Sequence, residues 1–350
     1  MSALAPAEFT PETVYLNTAS YGLPSARALT AVRDANAQWA AGRSTPIEYD
    51  HLVPDLRAGF ARLLAGAVAD DIALGSTVAG LIGPLAVALP PGAEVLLADG
   101  EFSSVSWPFV HRDDLEVRFA PLERLAEEVR PETALVAVSV VQSKDGRVAD
   151  LPALRAATRA HNARLLIDAT QATGWLPLRF ADADYWVCAA YKWLIGARSV
   201  AFFAAAPEAI ANIRPLGPGW YAAAGGRAEL YDPIALAAST RRFDATPDWL
   251  GVIAARAGLS LIEELTVDKI GAHNLELADR FRTGARALGY EPVPRRSAIV
   301  AIPDAGDAAP IALERAGIVV SVRGGNLRVS FHLYNDTTDV DRTLDALPKR

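Results

Sequence analysis

Of the 34 basic residues in the sequence only four are lysines, Lys144, Lys192, Lys269 and Lys349, so a lysine in apolar surroundings needs a reason. Lys192 is in that position: it stands in Cys-Ala-Ala-Tyr-Lys-Trp-Leu-Ile-Gly, with almost no polar neighbour. An amine attacks a carbonyl only when neutral, and apolar surroundings lower its pKa toward that state. Asp168, 24 residues earlier, closes the apolar run Arg-Leu-Leu-Ile-Asp and is followed by Ala-Thr-Gln171. Ligands of open parallel sheets gather at the carboxyl ends of strands, so the two side chains can face one pocket. A desolvated lysine beside an acid suits a Schiff-base cofactor, because an aspartate set against a pyridine nitrogen keeps it protonated and makes the ring an electron sink. The spacing alone equally suits an aspartate that caps a helix and a lysine that snorkels.

Three further clusters carry chemistry. Gly75-Ser76-Thr77 follows a strand-like run and opens a helix-like one, where backbone N–H groups and two hydroxyls can hold a phosphate, or simply cap the helix. Phe102 follows the next strand and could lie flat on an aromatic cofactor or fill the core. Gly324-Gly325-Asn326 marks a hairpin. Beyond that turn Leu327, Val329 and Phe331 alternate with Arg328, Ser330 and His332. An arginine held on a strand suits a bidentate grip on a carboxylate, the competing reading being a solvated face, for which His332 is the better candidate.

The elements that must position these residues follow from hydrophobic patterning. Strand candidates are 72–74, 94–98, 116–119, 134–141, 164–168, 185–189 and 200–204, with helix-like segments at 54–66, 77–89 and 150–162 between them. Runs apolar on both parities predict a mostly parallel sheet covered by helices on both faces. Beyond Arg214 a Gly/Pro-rich loop, 215–226, leads to Thr246-Pro247, which opens two long helical patterns, to about Leu265 and from Val267 to Leu288. A strand at 298–302, a helix at 310–316, a hairpin at 318–333 and a closing helix at 339–347 complete a small α/β layer. We expect a large domain over 15–246 and a small one over 247–350, with the N-terminal segment 1–45 packing near the latter.

Composition narrows the class. The chain has 350 residues, 51% hydrophobic and 21% charged, with a mean hydropathy of +0.16, which excludes a mainly disordered chain. No apolar stretch reaches the ~18 residues of a membrane span, and the start lacks a basic region ahead of an apolar one, so a cytoplasmic protein is expected. One cysteine, Cys188, excludes an internal disulfide and a thiolate zinc cage, and no metal site is expected. A net charge of -7 argues against a nucleic-acid surface.

Together, Asp168-x-x-Gln171, Ala190-Tyr191-Lys192-Trp193-Leu194-x-Gly196, Gly75-Ser76-Thr77 and Leu327-Arg328-x-Ser330-x-x-x-Tyr334-Asn335 resemble the class V family of fold-type I pyridoxal phosphate enzymes. The resemblance runs from Val14-Tyr15-Leu16-Asn17-Thr18-Ala19 to the final helix. It implies a large domain with a mostly parallel seven-stranded sheet, a small α/β C-terminal domain, pyridoxal 5'-phosphate as cofactor and an amino-acid substrate. It also implies roles. Lys192 would carry the cofactor and shuttle the α proton, Asp168 would pair with the pyridinium nitrogen, and Gln171 would bond the phenolate oxygen. Phe102 would stack on the ring and Gln142 would line the pocket. Ser76, Thr77 and Tyr191 would bind the phosphate, joined by Thr246, which in this family tends to come from the partner of a homodimer. Arg328 would hold the substrate carboxylate.

Cysteine desulfurases of this family carry a loop cysteine shortly before that arginine. This chain reads Ser321-Val322-Arg323-Gly324-Gly325-Asn326 there, which disfavours persulfide transfer. The leading expectation is β-elimination from a cysteine-derived amino acid, a carbon-sulfur lyase giving pyruvate and ammonia. An aminotransferase or an amino-acid epimerase are the alternatives, and a catalytically silent binding protein on the same fold is a further one.

Overall fold

The computed structural model describes every residue except 226–230, 232–234 and 295. At its centre lies a sheet of β1 (Ile72–Gly75), β2 (Glu94–Ala98), β3 (Glu116–Ala120), β4 (Thr133–Ser139), β5 (Arg164–Asp168), β6 (Tyr185–Ala189) and β7 (Ala201–Ala205). Their order across the sheet is β1-β7-β6-β5-β4-β2-β3. Strands β2 to β6 pair in parallel, while β7 runs antiparallel to both of its neighbours. This is the mostly parallel seven-stranded α/β architecture expected of fold type I.

The double-sided apolar runs are explained by two cores. On one face Val136, Leu165, Ile167, Trp186 and Phe202 pack under α2 (Leu52–Leu63) and neighbouring elements, with α1 (Ala26–Ala40) outside that cluster. On the other, Leu97, Ala137, Leu166, Val187 and Phe203 pack under α3 (Val78–Ala88) and α4 (Ser103–Val110). Phe60 of α2 stacks on Phe202 with ring centroids 4.0 Å apart, and truncating either ring would cost about 3–5 kcal/mol.

The helix after α5 (Leu151–Ala160) in this scheme is α6 (Trp249–Leu265), which the sequence reading assigned to the small domain. Its Val252, Leu259 and Ile262 belong instead to the core of the large sheet, against α1 and α2. Patterning along one helix reports that a face is buried and not which sheet buries it. The small layer begins with α7 (Val267–Ala287), whose Leu277 and Phe281 share a core with Val300, Val329 and Phe331. Its antiparallel sheet runs β8-β10-β9, from β8 (Ile299–Ile302), β9 (Ser321–Arg323) and β10 (Asn326–Ser330). The N-terminal segment ties the layers together: Val14–Tyr15 pairs with Ile318–Val319, and Gly22 N donates to Tyr191 O at 2.9 Å. The last residue of the loop 215–226 lies outside the described residues. Among the described residues no helix is long and apolar enough to cross a membrane.

Candidate active site

The carboxyl ends of β1, β5 and β6 open on one cavity of about 630 Å³, mouth included. Ser76, Thr77, Phe102, Asp168, Gln171, Tyr191 and Lys192 all line it, so most of the residues singled out in sequence meet there.

Lys192 follows β6 in a loop that leaves the sheet and returns to it as β7. Ala190 N donates to Val200 O at 3.0 Å, and Ile195 N donates to Lys192 O at 3.1 Å. Closing this turn puts Ile195 at φ +49°, a left-handed conformation that costs an L-residue of this bulk roughly 1–2 kcal/mol. From the other side Gly22 presses so close that a Cβ there would stand 2.1 Å from Lys192 O. The lysine side chain is buried, and burial pushes its pKa down to about 8 against the opposing pull of the Asp168 charge. Its Nζ lies 5.3 Å from the centroid of the Phe102 ring.

Asp168 is equally buried at the end of β5, where one oxygen accepts from Thr170 N at 2.8 Å. Burial raises its carboxyl to about 6, Lys192 and the Thr170 bonds holding it from going higher. The Gln171 amide is engaged at both ends: Nε2 donates to Ala19 O at 2.9 Å and Ser143 Oγ at 3.0 Å, while Oε1 accepts from Trp193 Nε1 at 2.9 Å.

At the other end of the cavity α3 begins. Thr77 Oγ1 accepts from Gly80 N at 3.1 Å as its N-cap, and both Ser76 and Thr77 are exposed to the cavity. Gly75 does not line the cavity; it lets α3 settle, since a Cβ would stand 2.8 Å from Leu81 Cδ2. Arg198, which sequence reasoning missed, also lines this end, its guanidinium carbon 5.5 Å from the centroid of the Tyr191 ring. Only its place seven residues beyond Tyr191 could have signalled it.

Phe102 is 42% exposed, not a core residue. Glu101 orients the turn that presents it: its carboxylate accepts from Phe102 N at 2.7 Å, Ser139 N at 2.8 Å, Ser139 Oγ at 2.6 Å and Gln142 Nε2 at 2.9 Å. Gln142 therefore does not line the cavity as expected. Its amide is spent on Glu101 and on Ser139 O, and the next residue, Ser143, takes the cavity wall.

Arg328 is 1% exposed, so the solvated-face alternative fails. Nε donates to Ser321 Oγ at 3.1 Å, Nη2 to Ser20 Oγ at 2.7 Å, and Nη1 to both Ser143 O and, at 3.2 Å, Ser143 Oγ. Among the described residues no carboxylate pairs with it, and burial with the nearby Arg323 charge lowers its pKa to about 10. His332, expected to face solvent, is fully buried because that face of β10 abuts the Lys192 loop. Its Nε2 is 3.0 Å from Trp193 O, and burial drives its pKa down to about 3, so the ring is neutral and donates to the carbonyl. Thr246 lies apart, exposed in a neighbouring depression with Pro247 and Ser199 that shares only Ser76 with the main cavity. Cys188 is buried inside β6, and burial pushes its thiol pKa far up.

Known proteins resemble this chain over most of its length. The uncharacterized aminotransferase YcbU of Bacillus subtilis is 26% identical over 309 residues, covering 83% of this chain and 82% of that protein. Isopenicillin N epimerase of Amycolatopsis lactamdurans is 28% identical over 385 residues, covering 96% and 95%. The structure of the cystine C-S lyase C-DES with its reaction product cysteine persulfide matches with a TM-score of 0.85 at 21% identity, over 96% of this chain and 97% of that one, a likeness of fold. The model of the family named aminotransferase class-V matches residues 75–343. By that match the chain belongs to the class-V aminotransferase family of pyridoxal-phosphate-dependent enzymes.

Proposed function

We propose that this enzyme eliminates the β-substituent of a cysteine-derived amino acid, breaking a carbon-sulfur bond and releasing pyruvate and ammonia. The cavity suits pyridoxal phosphate: a buried acid and a buried lysine stand at one end, and at the other a helix N-terminus with two hydroxyls and an arginine that has no acid partner among the described residues. When bound, that cofactor supplies a carbonyl for Schiff-base attachment and a ring that draws electrons away from the substrate Cα.

Each role then falls to a residue of this chain. Lys192 would anchor the cofactor and would take the proton from Cα; with a pKa near 8 about a tenth of it is already neutral at pH 7. Asp168 would hold the proton of the ring nitrogen, and Gln171 and the Ser143 hydroxyl would supply polar contacts to the ring. Ser76, Thr77, Tyr191 and Arg198 would hold the phosphate. Phe102 would pack against the ring, and Arg328 would take the substrate carboxylate with a fork of donors. Thr246, exposed beside Ser76 but outside the cavity, serves the phosphate of a second copy in a homodimer.

The observation that carries elimination is what lines the cavity. Lys192 and Arg198 are the basic side chains that line it among the described residues; Arg198 lies at the phosphate end, and the group Lys192 approaches is the apolar ring of Phe102, which cannot return a proton from the opposite side as two-base epimerisation requires. A thiolate needs little help to leave, its conjugate acid having a pKa of about 8.5. Cys188, sealed in β6, cannot take sulfur as a persulfide. The test is turnover of S-substituted cysteines without any keto acid. Equimolar pyruvate and ammonia are expected; strict dependence on a keto acid, or inversion at Cα alone, would replace the lyase by the aminotransferase or the epimerase.

A further inference from the structure

Most arginines on this acidic chain are matched to carboxylates, as Arg27 is to Glu8 and Glu264, Arg118 to Glu94 and Glu128, and Arg155 and Arg164 to Asp184. The rim next to Ser143, which lines the cavity, departs from that habit. Lys144 follows Ser143 in the chain, Arg328 Nη1 donates to Ser143 O and Oγ, and Arg323 stands at the hairpin tip that Lys144 touches; among the described residues none of the three has a carboxylate within ion-pairing distance. Lys144 lies along the tip of the β9-β10 hairpin: a Cβ on Gly324 would stand 2.7 Å from its Cε. Its Nζ is 3.9 Å from where Gly100, two residues before Phe102, would carry a Cβ. The side chain thus bridges the hairpin to the turn that presents Phe102. The bare two-glycine tip, at φ +52° and +81°, leaves it room to do so.

Two neighbouring carboxylates are already engaged. Asp145 pairs with Arg147 at 2.9 Å, and Glu101 is held by its own donors. Asp99, exposed beside Gly100, makes no ion pair with Lys144. Arg323 donates only to the carbonyl of its neighbour Val322, at 3.2 Å, and its charge weighs on both Arg328 and Lys192. Like charges gathered without counter-ions repel, and an anion in their midst removes that repulsion. An α-amino acid brings one carboxylate, which Arg328 takes. The positive charge left at the mouth is unanswered by it.

We propose that the preferred substrate carries a second anionic group, a carboxylate at the far end of its side chain, recognised at the cavity mouth by Arg323 and Lys144. This rests on the reading of the site as an amino-acid site with Arg328 on the α-carboxylate, and it is independent of which bond is broken. Arg198 has no part in it, lying at the phosphate end.

The test compares pairs that differ in charge and hardly in shape, aspartate with asparagine and glutamate with glutamine, titrated into the holoenzyme and followed by the change in cofactor absorbance. The longer acid is expected to bind at least tenfold more tightly than its amide, with the advantage shrinking as salt rises. In Arg323→Gln combined with Lys144→Met, both exposed and neither in an ion pair among the described residues, the preference should fall to within about twofold while the amides bind as before. Equal binding of acid and amide in the wild type overturns the proposal. So does a preference that survives in the double variant, or a loss of amide binding along with acid binding. If S-substituted cysteines give no pyruvate yet the acid preference holds, elimination fails and the anionic subsite stands. If S-methylcysteine and S-carboxymethylcysteine are eliminated equally well, the reverse applies.

Discussion

Gln171, from the large sheet, and Arg328, from the small one, donate to the same oxygen: Ser143 Oγ accepts from Gln171 Nε2 at 3.0 Å and from Arg328 Nη1 at 3.2 Å. With both lone pairs taken, the Ser143 hydrogen is left to point into the cavity it lines. Ser143→Ala removes one bond from each partner, worth about 1 kcal/mol apiece. The apparent substrate constant should rise roughly fivefold, and the absorbance of the bound cofactor should shift as Gln171 turns. Saturation and spectrum both unchanged would show that the hydroxyl is merely packing.

Burial places the Lys192 pKa near 8, so its neutral form grows as pH rises toward 8 and is nearly complete above 9. Attachment of cofactor to the cofactor-free protein should therefore quicken about tenfold per pH unit below 8 and level off beyond it. A solvated lysine would go on accelerating to pH 10. Lys192→Ala should form no borohydride-reducible link at any pH, and mass spectrometry of the reduced wild type should find the label on Lys192.

Arg328→Ala leaves Lys192, Asp168 and the phosphate-side residues untouched and removes a fork of buried charge-assisted bonds. At about 2–3 kcal/mol the apparent substrate constant should rise some 30-fold to 150-fold with cofactor affinity unchanged. Arg328→Lys should recover only part of this, since one ammonium cannot reach Ser20, Ser321 and Ser143 together. Wild-type saturation in the alanine variant would remove Arg328 from substrate binding.

His332 is neutral in the fold and titrates near 6.5 once unfolded, so the unfolded chain takes up the extra proton as pH falls from 6.5 toward 3. Stability should accordingly decline with acid in that window, by roughly 1.4 kcal/mol per pH unit from this ring. His273, also lowered by burial, adds to the slope. Denaturant unfolding followed between pH 7 and 4.5 should show a shallower decline in His332→Asn, which will also be less stable at pH 7 for want of the bond to Trp193 O.

Six of the seven strands were legible because a sheet buried on both faces leaves apolar runs, while the edge strand Glu116–Ala120 shows alternation instead; Lys192 and Asp168 were legible because a charged residue ending such a run is costly without a purpose. Direction was not legible: nothing in Ala201–Ala205 says that β7 turns back. The helix α4 escaped notice, being eight residues long with Pro108 inside and Trp107 exposed. His332 was misread because alternation separates the two faces of a strand without saying what each meets. Here Arg328, Ser330 and His332 all turn toward the other layer and are buried. Gln142 and Ser143 were confused by one position, since both types hydrogen-bond readily and only the turn geometry decides which enters the cavity.

The burial of Cys188 has a practical side. It is the one thiol in the chain and sits 1% exposed in β6, paired with Phe202 of β7, so the native surface presents no thiol. A cysteine introduced at Val322, 48% exposed beside Arg323, would be a unique chemical handle in an otherwise unmodified protein. A fluorophore or spin label placed there would report in real time, without any background to subtract, whether the hairpin swings as an amino acid enters.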